Sequence, residues 1–226
     1  MHVPRAPHRW AVTWKHARAI QQRLAPLVRQ VPLDSAPRFV AGLDAAFSPD
    51  DRCCLAAAVV WDMREQAVIE QQVAVRRLTF PYVPGLLSFR EAPAVLAALR
   101  KLRTEPDVLI YDGHGRAHPR RFGVACHVGV ILNRPMIGCA KTRLIGTHRA
   151  PGWRRGSVAP LIDAGEVIGN VLRTQDGINP VFVSVGHRID LTGAQQIILA
   201  CAIRYRLPEP TRLADQLVGA AKRVRE

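Results

Sequence analysis

The sequence contains no apolar run that approaches the roughly 18 residues needed to span a bilayer. Its first 20 residues carry several cations and no uninterrupted apolar core, so we expect neither a signal peptide nor contact with a membrane. A G-x-G-x-x-G fingerprint, a P-loop and internal repeats are also missing. These absences argue against a membrane protein, a Rossmann-type dehydrogenase, a P-loop NTPase and a solenoid.

Cysteine is present but forms no pattern. The five cysteines are odd in number, and none belongs to a C-x-x-C motif. Their spacing does not suit a zinc ribbon and argues against a disulfide framework. We therefore expect reduced thiols in a cytoplasmic protein.

Acidic residues are few compared with basic ones. The chain has 18 Asp and Glu against 32 Lys and Arg, which gives a formal net charge of +14 with histidine neutral. The cations are spread along the chain, so they predict a basic face on a folded domain rather than a detachable tail. Such a face favours a polyanionic partner, most simply nucleic acid.

Length and apolar content predict a single α/β domain with a mixed sheet. With 226 residues, 48% of them hydrophobic, the chain can fill one large core, and no linker divides it. We expect residues 1–226 to form this domain as a monomer. The predicted strands, of which the first three suggest an antiparallel meander, cover 38–47, 55–61, 68–78, 107–111, 136–140, 167–174 and 181–185. The predicted helices cover 13–30, 88–103, 191–203 and 211–223, and residues 124–132 are expected to be a short helix or a buried segment. Residues 142–166 are predicted to form a long surface loop.

The stretch 107–123 carries the first indication of chemistry. A buried strand ends at Tyr111 and is followed by Asp112 and Gly113. In open α/β sheets the loops beyond the carboxyl ends of strands hold ligands, and a carboxylate there can bind a metal or act as a base. Five basic residues follow within nine positions: His114, Arg116, His118, Arg120 and Arg121. This combination suggests phosphodiester chemistry. The alternative is that Asp-Gly only marks a turn.

Two other segments also suggest a site that acts on nucleic acid. Asp44 lies in the apolar run of the first strand, where an acid is costly unless it is paired or binds a cation. Its alternative is an acid at a strand end that faces solvent. The loop from Pro81 to Pro84 is rigid because two prolines flank it, and it presents Tyr82, which can stack on or wedge between bases. Alternatively, Tyr82 packs on the core.

Three further charged residues have structural explanations that the pattern alone favours. Glu91 has capping-box spacing from Ser88 at the start of a helix. Asp215 is predicted to be an acid of the first helical turn that complements the dipole of a helix capped by Thr211. Lys141 follows a short strand, where it either contacts a phosphate or is simply exposed.

Taken together, these segments resemble the endonuclease V family, the deoxyinosine 3′-endonucleases. The resemblance extends from about Trp14 to Leu217. Its strongest pieces are AGLD at 41–44, PYVPG at 81–85, LSFRE at 87–91, DGHG at 112–115, HPRR at 118–121, GCAK at 138–141 and RLPEPTR at 206–212. All of them occur in order and at compatible spacing.

The resemblance implies a ribonuclease H-like fold, in which a central five-stranded mixed sheet is flanked by helices. It implies a DNA repair endonuclease that depends on Mg²⁺, for which Mn²⁺ can substitute. The expected substrate is DNA containing deoxyinosine, the product of adenine deamination. The expected cut is at the second phosphodiester on the 3′ side of the lesion, leaving a 3′-hydroxyl and a 5′-phosphate.

The resemblance also implies roles for individual residues. Asp44 and Asp112 are the expected metal ligands, and Glu91 completes the acidic cluster directly or through water. Asp215 is expected near the metal, and Lys141 near the scissile phosphate. The expected DNA wedge consists of Pro81, Tyr82, Val83 and Pro84. The expected pocket for the flipped base is lined by Gly85, Leu87, Gly113, His118, Gly123 and Val124.

Some departures and alternatives remain open at this point. Cys126 and Cys139 occupy positions where relatives often have serine or valine, and Thr142 stands where a second lysine is common. One alternative is a ribonuclease specific for inosine in RNA. Another alternative is a nucleic-acid-binding module without catalysis. It is favoured if Asp44 and Asp112 lie too far apart to share an ion.

Overall fold

A computed structural model describes residues 1–224, in which apolar strands form one mixed sheet between two helical layers. The described helices are α1 (Trp14–Leu24), α2 (Ser88–Lys101), α3 (Val124–Leu132), α4 (Leu191–Cys201) and α5 (Glu209–Arg223). The strands are β1 (Phe39–Phe47), β2 (Cys53–Asp62), β3 (Ala67–Arg77), β4 (Val108–Tyr111), β5 (Met136–Ala140), β6 (Val158–Asp163), β7 (Glu166–Leu172) and β8 (Val181–His187). A short 3₁₀ turn, Ala25–Leu27, follows α1.

The sheet has the strand order β3-β2-β1-β4-β5-β8-β7-β6. β1, β2 and β3 form an antiparallel meander, which confirms that prediction. β4 pairs in parallel with β1, and β5 in parallel with β4, whereas β8 and β7 add antiparallel strands. The expected mixed α/β architecture is therefore present. The expected count of five strands is too small, because the described sheet has eight and its ladder continues beyond β5.

β6 is the strand that the sequence did not predict. It lies at the sheet edge within residues 142–166, which were predicted to be loop throughout. Val158 and Pro160 are exposed and alternate with buried Ala159 and Leu161, but the sequence hides this alternation because its exposed positions are apolar. Proline is tolerated on an edge strand because no neighbour needs its missing N–H. A hairpin through Ala164 and Gly165, both with positive φ, returns the chain into β7.

The two faces of the sheet carry different helices. α2 and α3 pack on the face that includes Leu43 and Tyr111. α4 and α5 cover the opposite face. At Gly42 the start of α5 approaches so closely that a Cβ atom would lie 2.0 Å from the carbonyl carbon of Pro210. This contact fixes α5 against β1 and leads the next turns of α5 toward the carboxyl end of that strand.

Two predicted helix caps are wrong, although α2 begins at Ser88 as predicted. Leu87 is the N-cap of α2 and makes no side-chain cap bond, so Ser88 and Glu91 do not form a capping box. Ser88 instead hydrogen-bonds His127 through Oγ, 2.9 Å from Nδ1. α5 begins at Glu209 because proline fits a first helical turn, so Thr211 does not cap it. Asp215 consequently lies beyond the first turn, and the reading of a dipole-complementing acid is wrong.

The structure also describes the cysteines and the lengths of the apolar helices. All five cysteines are free thiols in the structure, and four of them are buried. Residues 1–224 contain no helix long and apolar enough to cross a membrane.

Candidate active site

Asp44 of β1 and Asp112, which directly follows β4, lie where the paired part of these adjacent parallel strands ends. Leu43 of β1 is in register with Tyr111 of β4. The backbone N–H of Asp112 donates to the carbonyl of Leu43 at 3.0 Å. Asp44 and Asp112 therefore follow paired residues, on strands separated by roughly 4.8 Å. The charge of Asp112 contributes to the raised pKa of Asp44, so the two acids are near neighbours, an arrangement that does not favour the non-catalytic module.

Lys141 and Asp215 join this pair from two further elements. Lys141 directly follows β5, and its Nζ lies 2.7 Å from Oδ2 of Asp112. The same Nζ lies 3.4 Å from Oδ2 of Asp215, which α5 supplies. We refer to Asp44, Asp112, Lys141 and Asp215 as the acidic cluster. It collects four of the five residues to which the resemblance gave catalytic roles.

The electrostatics of the acidic cluster favour a bound cation. Burial, followed by the negative charges of Asp112 and Asp215, raises the pKa of Asp44 to about 8. Burial also raises the pKa of Asp112, although its bond to Lys141 opposes the shift. Three carboxylates thus share one ammonium group. A divalent cation would relieve their mutual repulsion.

The donor set suits a hydrated Mg²⁺ ion. Carboxylate oxygens are the hard ligands that Mg²⁺ prefers, and the ion usually keeps several waters while binding one or two carboxylates. Within residues 1–224, no group of three or more His, Cys, Asp or Glu side chains forms a complete protein cage for a metal. Asp44 and Asp112 would supply two such carboxylates and leave the other positions to water.

Glu91 stands apart from the acidic cluster. It lies in the first turn of α2, and its Oε2 accepts a hydrogen bond from the Tyr111 hydroxyl at 2.6 Å. Burial raises the pKa of Glu91 to about 7, with a smaller contribution from the charge of Asp112 and despite the bond from Tyr111. The structure links Glu91 to Asp112 through space rather than by direct contact. This geometry favours the expectation that Glu91 completes the acidic cluster through water rather than directly.

The expected wedge lies in the loop between β3 and α2. Phe80 and Leu86 anchor the two ends of this loop in a small apolar cluster with Phe89, and Val83 packs against that cluster. Tyr82 is 69% exposed. Its ring therefore does not pack on the core, and the alternative interpretation of Tyr82 as a core residue is wrong.

A cavity of about 190 Å³ separates this loop from the acidic cluster. All six residues expected to form the base pocket line it: Gly85, Leu87, Gly113, His118, Gly123 and Val124. Tyr82 lies at one side of the cavity, and Asp112 belongs to both its wall and the acidic cluster. The two helices α2 and α3 begin beside it, at Ser88 and Val124.

The histidines beside the cavity are neutral at physiological pH. His118 has one ring nitrogen 3.0 Å from the carbonyl of Gly85 and accepts from the N–H of Arg120 at the other, which fixes its tautomer. Burial, followed by the charge of Arg120, lowers the pKa of His118 to about 4. Burial likewise lowers the pKa of His114 to about 4. Among the described residues, Nδ1 of His114 is buried without a hydrogen-bond partner.

Gln21, a residue not predicted from the sequence, connects two walls of the cavity. Its Nε2 lies 3.1 Å from the carbonyl of Gly85 and 3.2 Å from that of Phe122. Its Oε1 accepts a hydrogen bond from Nε of Arg120 at 2.5 Å. The sequence signal was available, because Gln21 lies within the buried stripe of α1. A polar residue at such a position needs partners inside the protein.

We expect the change of Gln21 to leucine to destabilise the fold by roughly 1–3 kcal/mol, the cost of leaving a buried polar group without its partner. In this variant the carbonyl of Phe122 loses its hydrogen-bond donor. The carbonyl of Gly85 keeps two other donors, from His118 and Arg120. Chemical denaturation measures the free energy of unfolding. Gln22→Leu is the matched control, because Gln22 is the exposed neighbour on the same helix. Equal stability of both variants would contradict a bracing role for Gln21.

Comparison with known proteins agrees with this geometry. The family model described as endonuclease V matches residues 22–216. An endonuclease V from Roseiflexus sp. (strain RS-1) is 51% identical over 210 residues, which cover 93% of this chain and 94% of that protein. The endonuclease V of Roseiflexus castenholzii is 49% identical over 219 residues, covering 97% of this chain and 98% of that protein.

Solved structures of similar proteins share the fold. The crystal structure of endonuclease V from Streptomyces avermitilis has a TM-score of 0.92 and 44% sequence identity, and the match covers 99% of each chain. Endonuclease V from Ciona intestinalis, solved in complex with a 24mer DNA containing an inosine followed by a ribo-adenosine, has a TM-score of 0.82 and 25% identity. That match covers 94% of this chain and 98% of the other.

Proposed function

The chain belongs to the endonuclease V family, and from that membership we propose how its residues recognise inosine and cut the strand. The function of the chain is that of the family, a deoxyribonuclease of DNA repair. The observation that carries the detailed proposal is the position of Asp112. It pairs with Lys141 in the acidic cluster and also lines the cavity beside Tyr82. Recognition and cleavage then take place on one continuous surface.

The proposed substrate is inosine-containing DNA, cut at the second phosphodiester on the 3′ side of the lesion with a 3′-hydroxyl and a 5′-phosphate left behind. The net charge of +14 supports a polyanionic partner. An inosine-containing DNA is the partner of the similar Ciona protein in its crystal structure. We propose the same class of partner for this chain.

We propose that the flipped base enters the 190 Å³ cavity. Hypoxanthine presents an O6 acceptor where adenine presents an amino donor. The first N–H groups of a helix have no intrahelical acceptor, and α2 and α3 both begin beside the cavity. The N–H groups of Phe89 and Ala125 already donate to loop carbonyls. Those of Ser88 and Val124, which line the cavity, suit the O6 atom and discriminate against adenine. Tyr82 fills the space that the base leaves in the stack, supported by the prolines on either side of it.

We propose that Asp44 and Asp112 hold Mg²⁺ at the acidic cluster, with Mn²⁺ as a substitute. When bound, the ion makes a water molecule acidic enough to attack near neutral pH and offsets charge on the phosphate. Lys141 is 39% exposed, so its ammonium can turn from Asp112 to a phosphate oxygen. Asp215 holds Lys141 from the side of α5. Glu91, fixed by Tyr111, orients water at the rear of the cluster.

The architecture supports two finer proposals. The first five strands of the sheet order, β3-β2-β1-β4-β5, form the ribonuclease H-like core, and β8, β7 and β6 extend it. Residues 1–226 constitute one nuclease domain that acts as a monomer. Its last two residues lie outside the described part of the chain.

Cleavage of matched DNA and RNA strands tests the proposal. Each strand carries one inosine in the same base sequence, and the adenine counterpart serves as the control. We expect the DNA strand to be cut faster, at the second phosphodiester and only with inosine present. Faster cleavage of the RNA strand would favour the inosine-specific ribonuclease. Cleavage that ignores inosine in both strands would contradict the assignment of the cavity.

A further inference from the structure

A half-exposed aromatic ring precedes α5. Tyr205 is 51% exposed. The guanidinium of Arg212 covers one face of its ring, with Cζ 4.4 Å from the ring centroid. Glu209, which is buried, fixes that guanidinium by accepting hydrogen bonds from Nε at 2.9 Å and from Nη2 at 2.6 Å. The ring is therefore held in place on one side and retains exposed surface for a ligand.

Tyr205 lines an open groove of about 660 Å³. The other lining residues are Arg155, Gln175, Asp176, Ile178, Arg204 and Arg206. Arg155 donates to backbone carbonyls at the end of α4, whereas Arg204 is exposed. Asp176 accepts the backbone N–H of Arg155 at 2.6 Å. Three arginines against one aspartate make the groove positive, which favours an anionic occupant.

Arg206 connects the groove to the acidic cluster. Arg206 donates from Nη2 to the carbonyl of Lys141 at 2.5 Å and to that of Pro180 at 2.8 Å. Lys141 in turn contacts Asp112, which lines the base cavity. The cavity, the acidic cluster and the groove therefore follow one another along a single path of contacts. A strand with its altered base in the cavity and its scissile phosphate at the cluster would continue into the groove on its 3′ side.

We propose that Tyr205 and Arg204 bind the single strand on the 3′ side of the cut. One base stacks on the open side of the Tyr205 ring, and Arg204 contacts a phosphate. The proposal rests on the proposed function, because it uses the order of flipped base and cut along the strand. Stacking on an aromatic ring tolerates any base. The groove would therefore hold the strand without adding a sequence requirement beyond inosine.

Binding titrations with two inosine-containing single-stranded oligonucleotides test this proposal. Both share the same 5′ flank, but the 3′ flank of one ends just past the cut and that of the other is long enough to reach the groove. Chelator prevents cleavage during the titration. We expect Tyr205→Ala to weaken binding of the long oligonucleotide by at least about fivefold, the loss that roughly 1 kcal/mol of stacking produces. Binding of the short one should be unchanged.

Two variants serve as controls. Tyr205→Phe keeps the ring and should bind both oligonucleotides like the wild type. Arg204→Ala should also weaken only the long complex, whereas Arg100→Ala, with the same change of charge at an exposed position in the last turn of α2, should weaken neither.

Equal loss for both oligonucleotides, or no loss for either, would overturn the placement of the 3′ strand. Cleavage of the long oligonucleotide by the wild type with Mg²⁺ is measured in parallel. Its absence would contradict the proposed function. Cleavage without a length-dependent loss in Tyr205→Ala would contradict only the groove.

Discussion

Replacing Asp112 by asparagine is expected to lower the rate of inosine-dependent cleavage by at least about 1,000-fold, equivalent to roughly 4 kcal/mol of transition-state stabilisation. Asparagine keeps the shape of the side chain but removes the charge that helps to hold Mg²⁺ and that pairs with Lys141. Charge stabilisation by a catalytic metal is worth several kcal/mol, so the loss of a ligand should cost most of the rate. Single-turnover cleavage of an inosine duplex measures this effect.

Binding and stability should respond differently from cleavage in Asp112→Asn. Inosine DNA should still bind in a gel shift, because the cavity and Tyr82 are unchanged. The melting temperature should not fall, because burial raises the pKa of Asp112 and so makes its charged form costly in the folded state. Asp34→Asn is the matched control, since Asp34 is exposed and lies at a different groove. Wild-type turnover by Asp112→Asn would contradict the metal assignment.

The change of Tyr82 to alanine is expected to weaken binding to an inosine duplex by about tenfold or more. The ring replaces the stacking that is lost when the base flips, worth roughly 1–3 kcal/mol. About 1.4 kcal/mol corresponds to a factor of ten in affinity. The melting temperature should hardly change, because the ring is 69% exposed and its removal leaves no cavity.

A melting curve and a binding titration on Tyr82→Ala separate a wedge from a packing role. Tyr82→Phe keeps the ring and should bind the duplex like the wild type. If Tyr82 supported the fold, its truncation would cost about 3–5 kcal/mol of stability, as for buried aromatic residues. A large drop in melting temperature with normal affinity of the folded fraction would refute the wedge.

Asp44 and Asp112 could be selected from the sequence as candidate site residues because the local pattern of apolar residues shows where a strand is interrupted or ends. Asp44 interrupts one apolar run and Asp112 directly follows another, and the parallel pairing of β1 with β4 ends just before both acids. The same reasoning identified the meander and most of the strands and helices to within a few residues. Hydrophobic periodicity and turn residues carry this information locally.

Asp215 and Glu91 could not be placed by pattern. Asp215 approaches the cluster because α5 packs tightly over Gly42, a contact between segments distant in sequence. Glu91 is held by Tyr111 from a neighbouring strand, although its spacing from Ser88 suggested a cap. Their predicted roles came from the family resemblance. Tertiary packing, rather than local propensity, determines what a single charged residue contacts.

The roles of Gln21 and Tyr205 also depend on contacts that only the folded structure shows. Gln21 occupies a buried helical position, and only the loops that fold against α1 give it partners. Tyr205 follows the helix predicted over 191–203, and only the contact with Arg212 reveals its ring as a fixed platform. β6 was missed because Pro160 argues against a strand, although an edge position tolerates proline.

The central claim is that Asp44 and Asp112 hold a divalent ion that cuts beside an inosine lodged in the adjoining cavity. Its most direct test is cleavage of a duplex with a single inosine by protein freed of metal with a chelator, followed by addition of Mg²⁺ or Mn²⁺. We predict no cleavage in the chelator, and recovery with either ion of a single cut at the second phosphodiester on the 3′ side of inosine. Undiminished cleavage in the chelator, or none after Mg²⁺ is restored, would contradict the claim.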